Sequence, residues 1–489
     1  MEEQTPTTEV LISNTEQVVP DSRTLPPIWK DSYTQIIGAC IVHLLTIQAG
    51  INMAFSAILT AHLKEKGNDD VIQLMPGQDG WIASLVTIST PIGSLLSGRL
   101  IDKFGRKNVS MFICIPYLIS WILIYWSYNI VWLYVGRFLA GAAAGLSSVA
   151  IYYTSETTHP VWRPMLLGLT SVNVSFGILL TSVLGKWLYW RTVAVVFAVF
   201  TAVIFYFITT LPESPHWLLS FKNGTQDAHR IDQARKSLKY FNRNNAKAER
   251  ELVELLNNYR TSRVDVPMRQ DETLKEKLKS FKRPEIYKPI VLLLIIFFFQ
   301  QNTGSYVIVF YAVELFEELG GQFGYLDAYW AMILMGAIRF VMAIIAMILS
   351  LKYGRRMLCI ISGLGMGLSI LSASLYTHLS QFDTKIPTLV FVLVFVCFSA
   401  IGWQTIPWSL TGELLPTKLR AIVGGIMTSY AYLMMFLVVL TFPALKELID
   451  VKGVFLIYGI ISFASTAVVW KYLPETLGKT LTEIEHFFK

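Results

Sequence analysis

Gly98-Arg99-Leu100-Ile101-Asp102-Lys103-Phe104-Gly105-Arg106-Lys107 joins two apolar runs, 78–98 and 108–127. Each run has about twenty residues, the length a helix needs to cross a hydrocarbon core roughly 30 Å thick. A short, glycine-bearing, strongly basic link between two such runs is the signature of a helical hairpin in a bilayer. The same reading extends outward. Before and after this hairpin the sequence predicts spans over 34–63, 131–154, 165–186 and 191–211. A polar stretch, 212–288, follows. Six more runs then occupy 289–316, 327–350, 357–377, 387–412, 421–442 and 451–472. The fold class is all-α membrane protein with twelve transmembrane helices.

The quoted link has a second copy. Leu351-Lys352-Tyr353-Gly354-Arg355-Arg356 follows the eighth span, six spans after the first copy. Glu156 with Arg163 after the fourth span is likewise echoed by Glu413 with Arg420 after the tenth. Two echoes at matching positions predict two pseudo-symmetric six-helix bundles, with a binding site where they meet. The expected organisation is a polar, disordered tail over 1–33, a bundle over 34–211, a linker with short amphipathic helices over 212–288, a second bundle over 289–472 and a tail over 473–489. The linker helices are expected at 227–240, 246–259 and 273–281, as solvated surface helices or as a cap fastening the two bundles together.

Composition agrees with a bilayer protein and removes other classes. Only 15% of the 489 residues are charged, where a soluble chain carries about a quarter. The net charge of +7 does not indicate a nucleic-acid partner, because the basic residues gather in links between apolar runs and no basic patch is interleaved with stacking aromatics. Arg99, Lys103, Arg106 and Lys107, with Lys352, Arg355 and Arg356, put their links on the cytoplasmic side, and an even number of spans puts both termini there too. Cys40, Cys114, Cys359 and Cys397 all lie inside apolar runs without disulfide or metal spacing. No nucleophile–base constellation and no metal or cofactor motif is present, so the chain does not read as an enzyme.

The polar residues within the runs carry the functional reading. Asp102 and Arg106 can pair with each other or with Glu156 and Arg163, and in the second half Arg355, Arg356, Glu413 and Arg420 repeat the set. Their charges set topology. Gln300 and Gln301 lie about three turns into the seventh span, placed to bond a polar solute or a neighbouring helix. Trp408 follows Pro407 inside the tenth span, and Pro407 is expected to break the helix there. Arg339 lies midway along the eighth span. A guanidinium there costs roughly 2.5 kcal/mol or more unless it is paired or hydrated, so it is expected to face a cavity, as a structural pair or as a ligand group.

Taken in order, Gly98–Lys107, Gly136-Arg137-Phe138-Leu139-Ala140-Gly141, Pro212-Glu213-Ser214-Pro215, Gln300-Gln301-Asn302-Thr303-Gly304, Ile406-Pro407-Trp408 and Pro474-Glu475-Thr476-Leu477-Gly478-Lys479 resemble the sugar porter family of the major facilitator superfamily. The C-terminal motif is most similar to insect-type trehalose and hexose facilitators. The resemblance implies alternating access between two bundles, with Gln300, Gln301 and Trp408 in a solute pocket and the two repeated charge sets also gating one membrane face. It also implies that Asn52, Ser182, Tyr306 and Tyr432 stand at pocket positions where other family members carry an acid, a glutamine, an asparagine and a tryptophan. With Asn52 in place of the acid, no proton carrier is visible, so facilitated transport of a mono- or disaccharide is expected. The readings left beside it are an organic-anion carrier using Arg339 and a non-transporting sugar sensor. The expected partners are a small solute and the lipid bilayer of the plasma membrane, with the monomer as working unit.

Overall fold

The computed structural model describes residues 29–65, 71–159, 161–220, 227–242, 244–264, 284–318, 327–379, 386–415, 420–477, 479 and 487–488. No strand occurs among the described residues. Eleven helices are long and apolar enough to cross a bilayer. The last, Arg420–Tyr472, has 53 residues, about 80 Å if straight. It breaks instead at Asp450 (φ 56°, ψ 168°), giving two passes and twelve crossings among the described residues.

Local chemistry sets several helix ends. Asn129 caps the fourth span through its side-chain oxygen, which accepts the Val131 and Trp132 N–H groups. Asp327 caps the eighth span by accepting the Trp330 N–H at 2.9 Å. Gly105, at φ 94°, ends the second span at Phe104 and starts the third at Arg106. Spans four and ten, counterparts in the repeat, are each interrupted. The fourth runs Ile130–Leu146 and then Val149–Thr157, and the tenth Ile386–Ile401 and then Ile406–Leu414.

Burial divides the side chains as a bilayer requires. Large apolar residues such as Phe112, Ile119, Val199, Leu368 and Ile460 are exposed on the outer surface, where lipid rather than water is the solvent. Inside the first half, Phe55 and Phe197 pack against Trp121 at 5.2 Å between ring centroids. The Trp121 Nε1 donates to Gln48 Oε1, which leaves the buried indole satisfied. Spans two and eleven, and spans five and eight, form the seam between the halves.

The linker helices appear at Ala228–Phe241 and Asn245–Val264, while the expected one at 273–281 lies outside the described residues. Ala234, Leu238, Leu252 and Leu256 build a small apolar cluster with Leu218 and Leu219. The outer polar contacts of these helices run to the first half. Thr34 donates to the Phe241 carbonyl, Gln35 bonds Asn242, and Ser237 donates to the Glu213 carbonyl.

Candidate functional site

The seventh span ends its long helix at Asn302 and resumes only at Val307. Gly304 makes the break with φ 79°, and a methyl there would run into the Tyr458 ring. Gln300 and Gln301 therefore occupy the last turn before an interruption rather than the middle of a straight helix. In the tenth span the irregular stretch is 402–405, ahead of Pro407. Pro407 sits in the first turn of the following helix, where its missing N–H costs nothing. The expected break is present, but the proline begins a helix instead of flexing one.

The two breaks face each other. Gln300 Nε2 donates to the Trp403 carbonyl at 2.6 Å, and Gln301 Nε2 donates to Gln300 Oε1 at 3.1 Å. Both amides are buried, yet Gln301 Oε1 has no hydrogen-bond partner among the described residues. The same holds for Ser305 Oγ and for Gln404 Nε2. Buried polar atoms without partners carry a desolvation cost of about 1–3 kcal/mol each, which a bound polar solute or water would relieve. Trp408 Nε1 donates to Tyr306 Oη at 3.3 Å, and its ring lies 5.4 Å from Tyr432 and 5.1 Å from Phe297. An amide group thus stands beside an aromatic box, drawn from spans seven, ten and eleven. Trp403, Gln404 and Ser305 were not among the sequence candidates. The only signal for them is the Gly402-Trp403-Gln404 interruption of an otherwise apolar run.

Two further candidates lie in the first half. Asn52 is fully buried, donates through Nδ2 to the Gln48 carbonyl at 2.8 Å and leaves Oδ1 unpartnered. Ser182 is also buried, and its hydroxyl proton goes to the Ile178 carbonyl of its own helix. Arg137 donates to the Ile82 and Asn52 carbonyls and to Ser56 Oγ, all neutral acceptors. Arg339, in the eighth span, is 2% exposed, and its Nε and Nη1 have no partner among the described residues. Its charge lies within electrostatic reach of Tyr306, which ties it to the aromatic box.

Charged residues organise the two membrane faces differently. On one face Arg106 binds Glu156 at 2.8 Å and Arg355 binds Glu413 at 3.1 Å, each pair within its own half. Asp102 is largely exposed and only 3.7 Å from Arg106. Of the two expected partners at the end of the fourth span, Glu156 takes Arg106, whereas Arg163 donates to the Thr158 carbonyl and leaves its Nε unpartnered among the described residues. Arg356 bonds the Trp470 carbonyl instead of Glu413, and the Arg420 side chain lies outside the described residues. On the opposite face two of the pairs cross between the halves, Lys64 to Glu314 at 3.0 Å and Lys186 to Asp327 at 2.7 Å. Lys64 also binds Asp79 at 2.6 Å and Lys446 also holds Glu314, each within its own half.

The repeat extends into residues that had been read as separate motifs. Glu213 accepts the Arg106 and Lys107 backbone N–H groups, and Glu475 accepts those of Arg355 and Arg356. Ser214 donates to Glu156, and Thr476 donates to Glu413. Each half thus has a carboxylate seated on the N-terminus of a long helix, where free N–H groups and the helix dipole favour an anion. Burial pushes the Glu213 carboxyl above the usual range, opposed by the backbone N–H groups of Lys107, Ser214 and Arg106. Pro212-Glu213-Ser214 and Pro474-Glu475-Thr476 are the sequence trace of this shared device.

Twelve crossings among the described residues, in two related halves around buried amides and aromatics, define a carrier of the major facilitator fold. The family model described as sugar (and other) transporter matches residues 39–488. The chain belongs to this family, whose members are transporters and not enzymes. It is 27% identical to the facilitated trehalose transporter Tret1 of Culex quinquefasciatus, over 94% of this chain and 86% of that protein. For Tret1 of Bombyx mori the identity is 28%, over 93% and 86%. Against Tret1 of Aedes aegypti it is again 28%, but the chain spans only 55% of that longer protein. Among solved structures, the xylose transporter XylE from E. coli in a partially occluded inward-open conformation superposes with a TM-score of 0.72 at 22% identity, over 92% of this chain and 100% of that one. XylE bound to 6-bromo-6-deoxy-D-glucose gives 0.70. At that identity the likeness concerns the fold.

Proposed function

We propose that this chain carries a small carbohydrate, a hexose or trehalose, down its gradient by rocking of the two halves about a central site. The relatives named as facilitated trehalose transporters support the substrate class. The observation that carries the reading is the pairing of the unpartnered Gln301 amide oxygen with the Trp408–Tyr432 aromatic box at two facing helix breaks. A sugar offers hydroxyl groups to the first and a C–H face to the second. Gln300, Gln301, Tyr306, Trp408 and Tyr432 act as its contacts from the second half, with Asn52 and Ser182 opposite.

The basic links support a reading in which the Arg106 and Arg355 face, with both termini, is cytoplasmic and the Lys64 face is outside. The molecule is then inward-facing, closed outside by Lys64–Glu314 and Lys186–Asp327. Asp102, Arg106, Glu156, Arg355 and Glu413 form the cytoplasmic gate, whose partners across the halves are exchanged when the site turns outward. The residue boundaries of the two bundles at 34–211 and 289–472, action as a monomer and residence in the plasma membrane belong to the same reading. Asn52 supplies no titratable group beside Arg137, so transport is uncoupled from protons. Uptake of labelled trehalose and glucose into proteoliposomes tests this. Saturable equilibration is expected, and an imposed pH gradient is expected to drive no accumulation. Concentrative uptake under that gradient would refute the uncoupled mechanism, and no uptake of either sugar would refute a neutral hexose or trehalose as the solute.

A further inference from the structure

The buried charges within this protein do not balance. Among the described residues, the charged side chains classed as buried are Arg137, Arg339 and Asp79. Asp79 is taken by Lys64, 2.6 Å away. Neither guanidinium has a carboxylate partner. They differ in how far they are held: Arg137 donates to two carbonyls and a hydroxyl and leaves only Nη1 unpartnered, whereas Arg339 leaves both Nε and Nη1 unpartnered among the described residues.

Arg339 also occupies a distinctive place. Gly336, one turn before it, packs on Leu179 of the fifth span, and Phe340, the next residue, meets Phe176 at 5.5 Å. Both neighbours are thus committed to the seam between the halves. Arg339 itself is within electrostatic reach of Tyr306, the phenol that accepts from Trp408. A strong cation, always protonated and built to bind a carboxylate with parallel hydrogen bonds, therefore stands unused beside the aromatic box.

We infer that the solute is an anionic carbohydrate, a sugar bearing one carboxylate, which Arg339 neutralises while the aromatic box and Gln301 hold its polyol part. The inference rests on the carbohydrate-transport reading above and puts a sugar acid in place of its neutral hexose or trehalose. Arg339 is the buried guanidinium tied to the aromatic box, and its single charge matches a monoanion such as a hexuronate better than a dianionic sugar phosphate. A carried anion also makes transport electrogenic, which a neutral sugar would not.

The test uses the full-length protein in proteoliposomes with D-glucuronate, glucose 6-phosphate, D-glucose and trehalose as probes. Saturable glucuronate uptake is expected. A potential of about 100 mV, negative inside, should lower its equilibrium accumulation about fiftyfold and leave any neutral sugar's distribution unmoved. The glucuronate-to-glucose uptake ratio should fall at least tenfold in Arg339→Gln and recover in part in Arg339→Lys. The potential measurement needs no variant, so a misfolded Arg339→Gln does not remove the test. Glucose or trehalose uptake without glucuronate uptake or inhibition overturns the anionic substrate and leaves the transport reading intact. Preference for glucose 6-phosphate overturns the single-carboxylate match. Glucuronate uptake with an unaltered ratio in both variants overturns the role of Arg339. No uptake of any probe overturns both the inference and the function it rests on.

Discussion

Glu475 accepts the backbone N–H of Arg355 at 2.7 Å, from a point 120 residues further along the chain. The bond seats a carboxylate on the first turn of the ninth span. Gly354 makes room for it, since a methyl on Gly354 would overlap the Glu475 carboxylate. Gly105 and Glu213 stand in the same relation in the first half.

The glycines are therefore required for the carboxylates to dock. Gly354→Ala and Gly105→Ala should each destabilise the detergent-solubilised protein by about 2 kcal/mol or more, because displacing the carboxylate strands buried donors. Thermal unfolding followed by size-exclusion chromatography measures this. Melting temperatures equal to wild type would show that the carboxylates contribute little.

Gln300 and Gln301 are neighbours with different duties. Gln300 holds the tenth-span break through the Trp403 carbonyl, while Gln301 keeps an unpartnered oxygen. Gln300→Ala should lower both thermal stability and uptake. Gln301→Ala should raise KM about tenfold with little change in melting temperature. Equal stability losses in the two variants would make both amides structural.

Trp408 joins the box to both breaks, through Tyr306 and through its rings with Tyr432 and Phe297. Aromatic pairs of this kind contribute about 0.5–1.5 kcal/mol each beyond their buried area. Trp408→Ala should raise KM at least tenfold, and Trp408→Phe should recover part of the loss. An unchanged KM in Trp408→Ala would remove the aromatic box from the solute path.

The fold was legible because its signals are local. Apolar runs, basic links and the repeated glycine-basic turn all lie within a few dozen residues. The Arg106–Glu156 and Arg355–Glu413 pairs were anticipated for the same reason, since each charge stands at a span end. The site was less legible. The breaks at Gly304 and Gly402 depend on what packs against them from distant spans, as Tyr458 does on Gly304. Arg163 carries the right charge at the right spacing, yet a nearer carbonyl at Thr158 takes its hydrogen bond. The Lys64–Glu314 and Lys186–Asp327 pairs are not legible in the sequence because each joins residues of opposite halves. Such partners are fixed by how the bundles meet, which no local pattern encodes.

Lys64 and Lys186 hold the sealed face closed in this account. Lys64 is partly exposed, so its pairs are screened and their loss costs on the order of 1 kcal/mol. That shift enlarges the oppositely open population about fivefold. Spin labels on the first and seventh span ends should accordingly report a longer-distance population in Lys64→Met with Lys186→Met. An unaltered distance distribution would mean that apolar packing, not charge, closes this face.

Substituted-cysteine labelling at positions 301 and 408, in a background lacking Cys40, Cys114, Cys359 and Cys397, tests the enclosed water-filled site most directly. Membrane-impermeant reagent should reach both positions from the Arg106 face in the wild-type background. After the Lys64 and Lys186 contacts are removed, it should reach them from the opposite face as well. Protection from both faces in both backgrounds would mean that these residues are sealed in dry protein, and the carrier account would fail.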